Sequence, residues 1–200
     1  TKGLYECLAK DKWKIIGPET HTIKDWATGE ASPSQIHAFH ILAPGHYWVL
    51  TDKGIFENKQ GGAWQQLKTS PSIKESATKT TYLACYALYA QKNQLYLGTS
   101  QGIYRSSNQG REWEAMTLPL DSPEEVKFIA GHPAFPEQLW AVSTSTLFHL
   151  KDPTSSWEKL PHPLSNHPVQ CLTLMQNPAS KTPLLTVSLK ESNQLYRYMS

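Results

Sequence analysis

Leu95-Tyr96-Leu97-Gly98-Thr99-Ser100-Gln101-Gly102-Ile103-Tyr104-Arg105-Ser106-Ser107-Asn108-Gln109-Gly110-Arg111-Glu112-Trp113 is the stretch on which the fold turns. Its aliphatic and aromatic residues come in short runs bounded by Gly, Ser and Asn, which predicts two short strands, a polar turn and a third strand opening at Trp113. Hydrophobicity alone would also allow buried helix, but Gly, Pro and Asn interrupt the runs before a helix reaches its usual length.

The pattern recurs along the chain. A hydrophobe followed by an aromatic occurs at Leu4-Tyr5, Ile55-Phe56, Ile103-Tyr104, Leu147-Phe148 and Leu195-Tyr196, with the aromatics 51, 48, 44 and 48 residues apart. Each of the first four is followed, 8 or 9 residues on, by a tryptophan: Trp13, Trp64, Trp113 and Trp157. Upstream, Tyr47 to Thr51, Leu95 to Thr99 and Leu139 to Ser143 each begin nine residues before the aromatic, and Leu184 to Ser188 lies slightly further out. Still earlier, Ile36 to Leu42, Tyr82 to Leu88, Val126 to Gly131 and Val169 to Met175 read as one more strand per unit.

Four short antiparallel strands at a period of about 48 residues match one blade of a β-propeller, a fold in which each blade buries its faces against its neighbours. The expected architecture is all-β, with blade units at residues 1–16, 35–68, 80–118, 125–161 and 168–200 in one propeller domain or a piece of one. Pro- and Ser-rich links, Gly17 to Ser34, Thr69 to Lys79, Thr117 to Glu125 and Pro161 to Pro168, cross from one unit to the next. The units supply a third and fourth strand, then twelve more, then a first, second and third, or seventeen strands in all. That is one too many for four blades and three too few for five. The expectation is a larger propeller, completed by a further segment of the same protein or by a partner chain.

Composition bounds the function. Two hundred residues at 39% hydrophobic content suffice for a sizeable core, and a formal net charge of +2 lacks the basic footprint of a nucleic-acid binder. No apolar run has the length of a membrane-spanning helix. Cys7, Cys85 and Cys171 are odd in number and widely spaced, which predicts free thiols serving as small hydrophobes, a pattern that favours a reducing compartment such as the cytoplasm.

Ser106-Ser107-Asn108-Gln109-Gly110-Arg111-Glu112-Trp113 resembles the Asp-box, or bacterial neuraminidase repeat, of sialidase-like propellers, whose pattern is Ser-x-Asp-x-Gly-x-x-Trp; Asn108 stands where the family has aspartate. Ile129-Ala130-Gly131-His132-Pro133, followed by Gln138-Leu139-Trp140-Ala141, looks like the first two blade strands of the sortilin, xyloglucanase and photosystem-assembly propellers. In the other units Gly61 keeps the box glycine and Asp152 its acid. The resemblance implies that Ser106, Asn108, Gly110 and Trp113 are a structural box lying away from any catalytic face. On that reading Trp113→Ala is costly, and Asn108→Asp, which restores the family residue, is nearly neutral.

The catalytic set of the resembled sialidases is not reproduced. They grip a carboxylate with three convergent arginines, whereas Arg105, Arg111 and Arg197 occupy repeated or peripheral positions here, and the family's Arg-Ile-Pro signature is missing. Paired carboxylates with an assignable geometry are not legible; Asp52, directly after a predicted strand, is the least ordinary of the acids. None of the 8 histidines has zinc-site spacing, and no nucleophile elbow or phosphate loop occurs. No cofactor is expected. His21 and Trp26, in the longest link, are the aromatic residues least easily absorbed by repeat packing and, with Asp52, make the candidate interaction surface. The sequence therefore points to a non-catalytic protein-interaction or scaffold propeller within a larger protein or assembly. The alternative is a piece of a carbohydrate-active propeller that binds or hydrolyses glycans.

Overall fold

The computed structural model describes residues 5–9, 12–15, 23–24, 31–32, 35–74, 80–91, 93–144, 146–161, 169–190 and 195–199. Among them every regular element is a β-strand. The chain forms two compact units, Thr1–Tyr86 and Ala87–Ser200.

In the first unit β1 (Tyr5–Ala9) pairs antiparallel with β2 (Lys12–Ile15), and β3 (Ile23–Lys24) with β4 (Ala31–Ser32). A four-stranded blade follows in chain order: β5 (Ile36–Ala43), β6 (His46–Thr51), β7 (Gly54–Lys59) and β8 (Gln65–Gln66). β9 (Ser72–Lys74) then pairs with β10 (Thr80–Tyr82). Two expectations are corrected here. The first two links carry short paired strands of their own, and the run from Tyr82 to Leu88 is not one strand. It breaks because Tyr82 pairs with Ser72 and the Leu83 amide extends that pairing to Pro71 O at 2.9 Å, whereas Cys85 starts a strand that pairs elsewhere.

The boundary between units falls inside β11 (Cys85–Gln91), which leads a second blade with β12 (Gln94–Thr99), β13 (Gly102–Ser106) and β14 (Glu114–Met116). A third blade holds β15 (Val126–His132), β16 (Phe135–Ser143), β17 (Leu147–Leu150) and β18 (Glu158–Leu160). β19 (Val169–Gln176), β20 (Pro183–Leu189) and β21 (Leu195–Met199) make a terminal three-stranded sheet.

Register repeats with the sequence. The residue opposite the third-strand aromatic is always the one two beyond the tryptophan: Tyr5 faces Ile15, Phe56 faces Gln66, Tyr104 faces Ala115 and Phe148 faces Lys159. The outer strands begin one residue after Trp64, Trp113 and Trp157 rather than on them, and Trp13 lies within β2. On the inner side Val49, Leu97, Ala141 and Val187 face Phe56, Tyr104, Phe148 and Tyr196.

Because side chains alternate across a strand, each blade presents two apolar faces. In the second unit these pack into two layers. Tyr96, Ile103, Val126, Leu139, Ala141 and Phe148 form one, and Trp140, Val142, Leu147, Leu174, Leu185 and Val187 form the other. In the first unit Trp48, Val49, Leu50, Ile55 and Phe56 are buried. Burying each such side chain is worth roughly 1.5–3 kcal/mol relative to leaving it in water.

A hydroxyl ends the second strand of each complete blade. Thr51 Oγ1 donates to Gly54 O and accepts from the Lys53 amide, both at 3.0 Å, and Thr99 Oγ1 does the same to Gly102 O and from Gln101. Gly54 and Gly102 have φ of 99° and 107°, a region that a side chain disfavours. In the third blade Ser143 Oγ accepts from the Thr146 amide at 3.2 Å and donates to Glu124 Oε2 at 2.5 Å.

Gly98 on β12 lies against β15. A Cβ added there would stand 2.4 Å from the Val126 carbonyl oxygen, a backbone atom that cannot rotate away. Gly98→Ala is therefore expected to lower stability in urea melts by about 1–3 kcal/mol through overpacking alone. Gly61→Ala, where nothing lies within 4 Å but φ is 73°, should cost no more than the left-handed backbone penalty of about 1–2 kcal/mol. A Gly98→Ala protein as stable as the parent would show that the two blades do not approach this closely.

Candidate functional site

In antiparallel blades the turn from first to second strand and the turn from third to fourth lie at the same end. In the blade of β11 to β14 that end holds the turn Ser106 to Trp113, which is dense in side-chain hydrogen bonds. Ser106, only 1% exposed, uses Oγ to donate to Asn108 Oδ1 at 3.0 Å and to accept from the Gly110 amide at 2.8 Å. Asn108 Oδ1 also accepts from the Glu112 amide at 2.9 Å, and its Nδ2 donates to Glu112 Oε2 at 3.0 Å. Gln109 and Gly110 take φ of 59° and 80° in succession. The turn after β7 repeats this at Gln60 and Gly61, with φ of 52° and 73°, again ending three residues before the tryptophan. After β17 a different device serves: Asp152 Oδ1 accepts from the Thr154 hydroxyl at 2.5 Å and from the amides of Thr154 and Ser155 at 2.8 and 2.9 Å, and these bonds, the hydroxyl's foremost, hold its carboxyl below the usual range.

Trp113 is only half-buried, whereas Trp157 is buried at 3% exposure and sends Nε1 to Met116 Sδ at 3.5 Å. The large cost of emptying a tryptophan site therefore belongs to Trp157 more than to Trp113.

A second set of residues runs across the blades. Opposite the buried aromatics Trp48, Tyr96 and Trp140 of the second strands stand Glu57, Arg105 and His149 of the third. Each is engaged within the fold. Glu57 receives His46 Nε2 at 2.7 Å, Trp48 Nε1 at 3.1 Å and Lys59 Nζ at 2.9 Å. Burial works to raise the Glu57 carboxyl, but these bonds together bring it below its ordinary value. Arg105 bonds Glu114 Oε2 at 3.3 Å and reaches Pro153 O of the next blade at 3.4 Å. His149 stacks on Trp140 with ring centroids 4.4 Å apart and meets Gln138 Oε1 at 3.3 Å. Burial pushes the His149 imidazole down, Glu158 opposes this, and Lys151 adds to it.

Of the remaining candidates, Asp52 accepts the Gln35 amide at 2.9 Å, and its own amide donates to Gln35 O at 3.3 Å. It thus ties the end of the first link to the turn after β6. His21 and Trp26 lie outside the described residues. Cys85 is buried, its thiol pushed up to about 12 by burial, and Cys171 is exposed; both are free. Among the described residues no three His, Cys, Asp or Glu side chains gather as metal ligands, and no helix is long and apolar enough to cross a membrane.

Beside the Ser106 to Trp113 turn lies a cavity of about 280 Å3, lined by Asn93 from the first turn of the blade and by Ser107, Asn108, Gln109 and Arg111. Its polar lining is suited to a hydrogen-bonding or anionic ligand. At the blade's opposite end a smaller cavity, about 180 Å3, is lined chiefly by Met116, Leu118, Leu120 and Pro123 with Asp121 and Gln101. Sequence reasoning found the turn but not this pairing with Asn93, because the residues of the two turns are too far apart in the chain for any motif to join them.

No protein-family model matches the chain, and no curated protein matches it. Solved structures do. The chain is similar to the Niastella koreensis GH74 enzyme at 11% identity and a TM-score of 0.61, over 99% of this chain and 33% of that one. It is similar to the extracellular domain of a putative one-component system from B. thetaiotaomicron at 17% identity and 0.58, over 86% and 22%. YCF48 from Cyanidioschyzon merolae matches at 11% and 0.51, over 84% and 56%, and YCF48 has also been solved bound to a D1 peptide. At these identities the likeness speaks for the fold, which is that of a β-propeller built from four-stranded antiparallel blades. The chain spans only 22% to 56% of the propellers named here.

The turn geometry corrects the expectation for Asn108. Replacing its Nδ2 by a carboxylate oxygen removes a bond to Glu112 and sets two negative groups at that distance. Asn108→Asp should cost on the order of 0.5–1 kcal/mol, and Glu112→Gln should recover most of it in a double-mutant cycle read by urea melts. Equal stability of Asn108→Asp in both backgrounds would contradict the assigned contact.

His149 predicts a pH dependence. Its folded value lies below the unfolded reference of about 6.5, so in that window the unfolded chain binds the extra proton. The stability owed to neutral His149 is thus complete above about pH 6.5 and is lost as pH falls toward the folded value. Urea melts between pH 7.5 and 5 should show a shallower decline for His149→Gln than for the parent, and parallel declines would remove His149 from the account.

Proposed function

We propose that the chain is a non-catalytic recognition module of propeller type that holds a protein partner at the turn end of the β11 to β14 blade. The carrying observation is where ionisable groups are used. Glu57, Arg105, His149, Asp52 and Asp152 are engaged in contacts that hold blades and turns, whereas the exposed side chains of Ser107, Gln109 and Arg111 surround a polar cavity. Rigid blades with exposed turns at one end suit recognition. In this reading Ser106, Asn108, Gly110 and Trp113 are an Asp-box turn with asparagine in the acid's place, and their role is to shape that rim. His21 and Trp26 belong to the recognition surface as link residues that repeat packing does not use, and Asp52 serves to hold the first link. The structure of YCF48 bound to a D1 peptide supports this reading, since that protein has a similar fold.

A second reading, glycan binding, is favoured by the amides of Asn93, Asn108 and Gln109 around the same cavity. It lacks a stacking aromatic in that lining, which a sugar ring ordinarily uses. Screening the intact chain against a displayed peptide library and a glycan array decides between the two. Selected peptides should be acidic and should lose binding on Arg111→Glu with no change in melting temperature. Glycan hits without peptide hits, or peptide binding indifferent to Arg111→Glu, would overturn the protein-partner reading.

A further inference from the structure

The link from β14 to β15 is Thr117-Leu118-Pro119-Leu120-Asp121-Ser122-Pro123-Glu124-Glu125. Its two prolines fix their own φ and hold the residue before each in extended backbone, so the link has few conformations to choose from. It doubles back where the Leu120 amide donates to Leu118 O at 2.8 Å. Both leucines thereby pack on the same apolar layer as Met116, and all three stay half-buried. With Pro123 and Gly102 their outward sides enclose the smaller cavity, about 180 Å3. Gly102 adjoins Leu118 closely: a Cβ there would lie 3.7 Å from Leu118 Cδ1.

Charge at this cavity is one-sided. The link carries Asp121, Glu124 and Glu125 and no basic residue. Two of these acids are engaged: Glu124 Oε2 accepts from Ser143 Oγ at 2.5 Å, and Glu125 pairs with Lys127 at 2.9 Å. Asp121 lines the cavity, is exposed, and has no ion pair or hydrogen bond among the described residues. No basic side chain is among the described residues of the lining, and Gln101 supplies an exposed amide at the rim. An apolar enclosure with one unpaired carboxylate suits a group that is apolar along its length and cationic at its tip. At 180 Å3 it is smaller than the roughly 300–1,000 Å3 of an ordinary small-molecule site, so it fits one side chain presented by a larger partner.

We infer that this cavity takes a lysine side chain of a partner protein, its stem against Met116, Leu118, Leu120 and Pro123, its ammonium at Asp121 and its flanking backbone within reach of the Gln101 amide. Size agrees with this occupant. At about 30 Å3 per water-sized group the cavity holds about six, close to the number of non-hydrogen atoms in a lysine side chain. A compact ammonium on an unbranched stem also fits better than the broad, planar guanidinium of arginine. Burial of the stem supplies most of the affinity, while the exposed ion pair adds little and selects lysine over an uncharged chain. The cavity lies at the end of the blade away from the Ser106 to Trp113 turn, so this surface goes beyond the turn-end reading and either can fail without the other.

The test uses the intact chain labelled with 13C at its methionine methyl groups, of which Met116 reports on the cavity and Met175 and Met199 serve as references. The probe is the blocked tripeptide acetyl-Ala-Lys-Ala-amide, titrated to roughly 10 mM, a range that captures single-side-chain affinities. Its addition should shift the Met116 methyl signal and leave the references in place. Asp121→Asn should weaken binding about two- to fivefold without changing the melting temperature. The same tripeptide with norleucine in place of lysine should bind the parent more weakly by a similar factor and be indifferent to Asp121→Asn. The n-butylamine cation should bind more weakly than the tripeptide, since it offers Gln101 no backbone. Arg111→Glu should leave all of this unchanged, which separates failure here from failure of the turn-end reading. A Met116 signal unmoved by the lysine tripeptide, binding indifferent to Asp121→Asn, or n-butylamine binding as well as the tripeptide would each overturn the inference.

Discussion

The contact between Gly98 and the Val126 carbonyl sets how closely two blades of the second unit approach each other. A blade that buries both faces must have a neighbour, and adjacent blades can approach closely only where one of them gives up a Cβ. Val126 is fully buried at this junction, and the layer around it gathers Tyr96, Ile103, Leu139, Ala141 and Phe148. Gly131 makes a similar accommodation: a Cβ there would meet the Tyr89 ring at 2.4 Å. At Gly98 the earlier blade supplies the vacancy and at Gly131 the later one does, so the two blades accommodate each other in both directions.

Polar chemistry is arranged around that packing. The position opposite the buried aromatic of each complete blade carries glutamate, arginine or histidine, three residue types with different charge, and each solves its own partnering problem. Glu57 collects three donors, Arg105 bridges to an adjacent turn, and His149 stacks on Trp140. A partly buried ionisable group without such partners would be costly, so these contacts hold the sheets in register more than they add net stability.

Much of this architecture was legible in the sequence for a simple reason. A hairpin's register depends on the number of residues in its turn, and the spacing from aromatic to tryptophan states that number directly. The recurring hairpin could thus be expected, and the pairing of Tyr104 with Ala115 and of Phe148 with Lys159 comes from the structure. The strands β3, β4, β9 and β10 escaped, because two or three residues show no periodicity. The hydroxyls of Thr51, Thr99 and Ser143 were visible as a column, but a polar residue at a strand's end has many uses. The Asn108 contact with Glu112 could not be read from the box pattern, which treats Glu112 as a free position. Asn93 joins the cavity only through the blade's geometry.

The central claim is the shared register of the outer hairpins. Isotope-edited NMR of the intact chain tests it most directly, through cross-strand nuclear Overhauser contacts. The account predicts contacts linking Phe56 with Gln66, Tyr104 with Ala115 and Phe148 with Lys159, the same pairing in every complete blade. Contacts displaced by one residue in any of them would reverse the faces of that outer strand and contradict the repeat, as would sequential amide contacts of helical type through these windows.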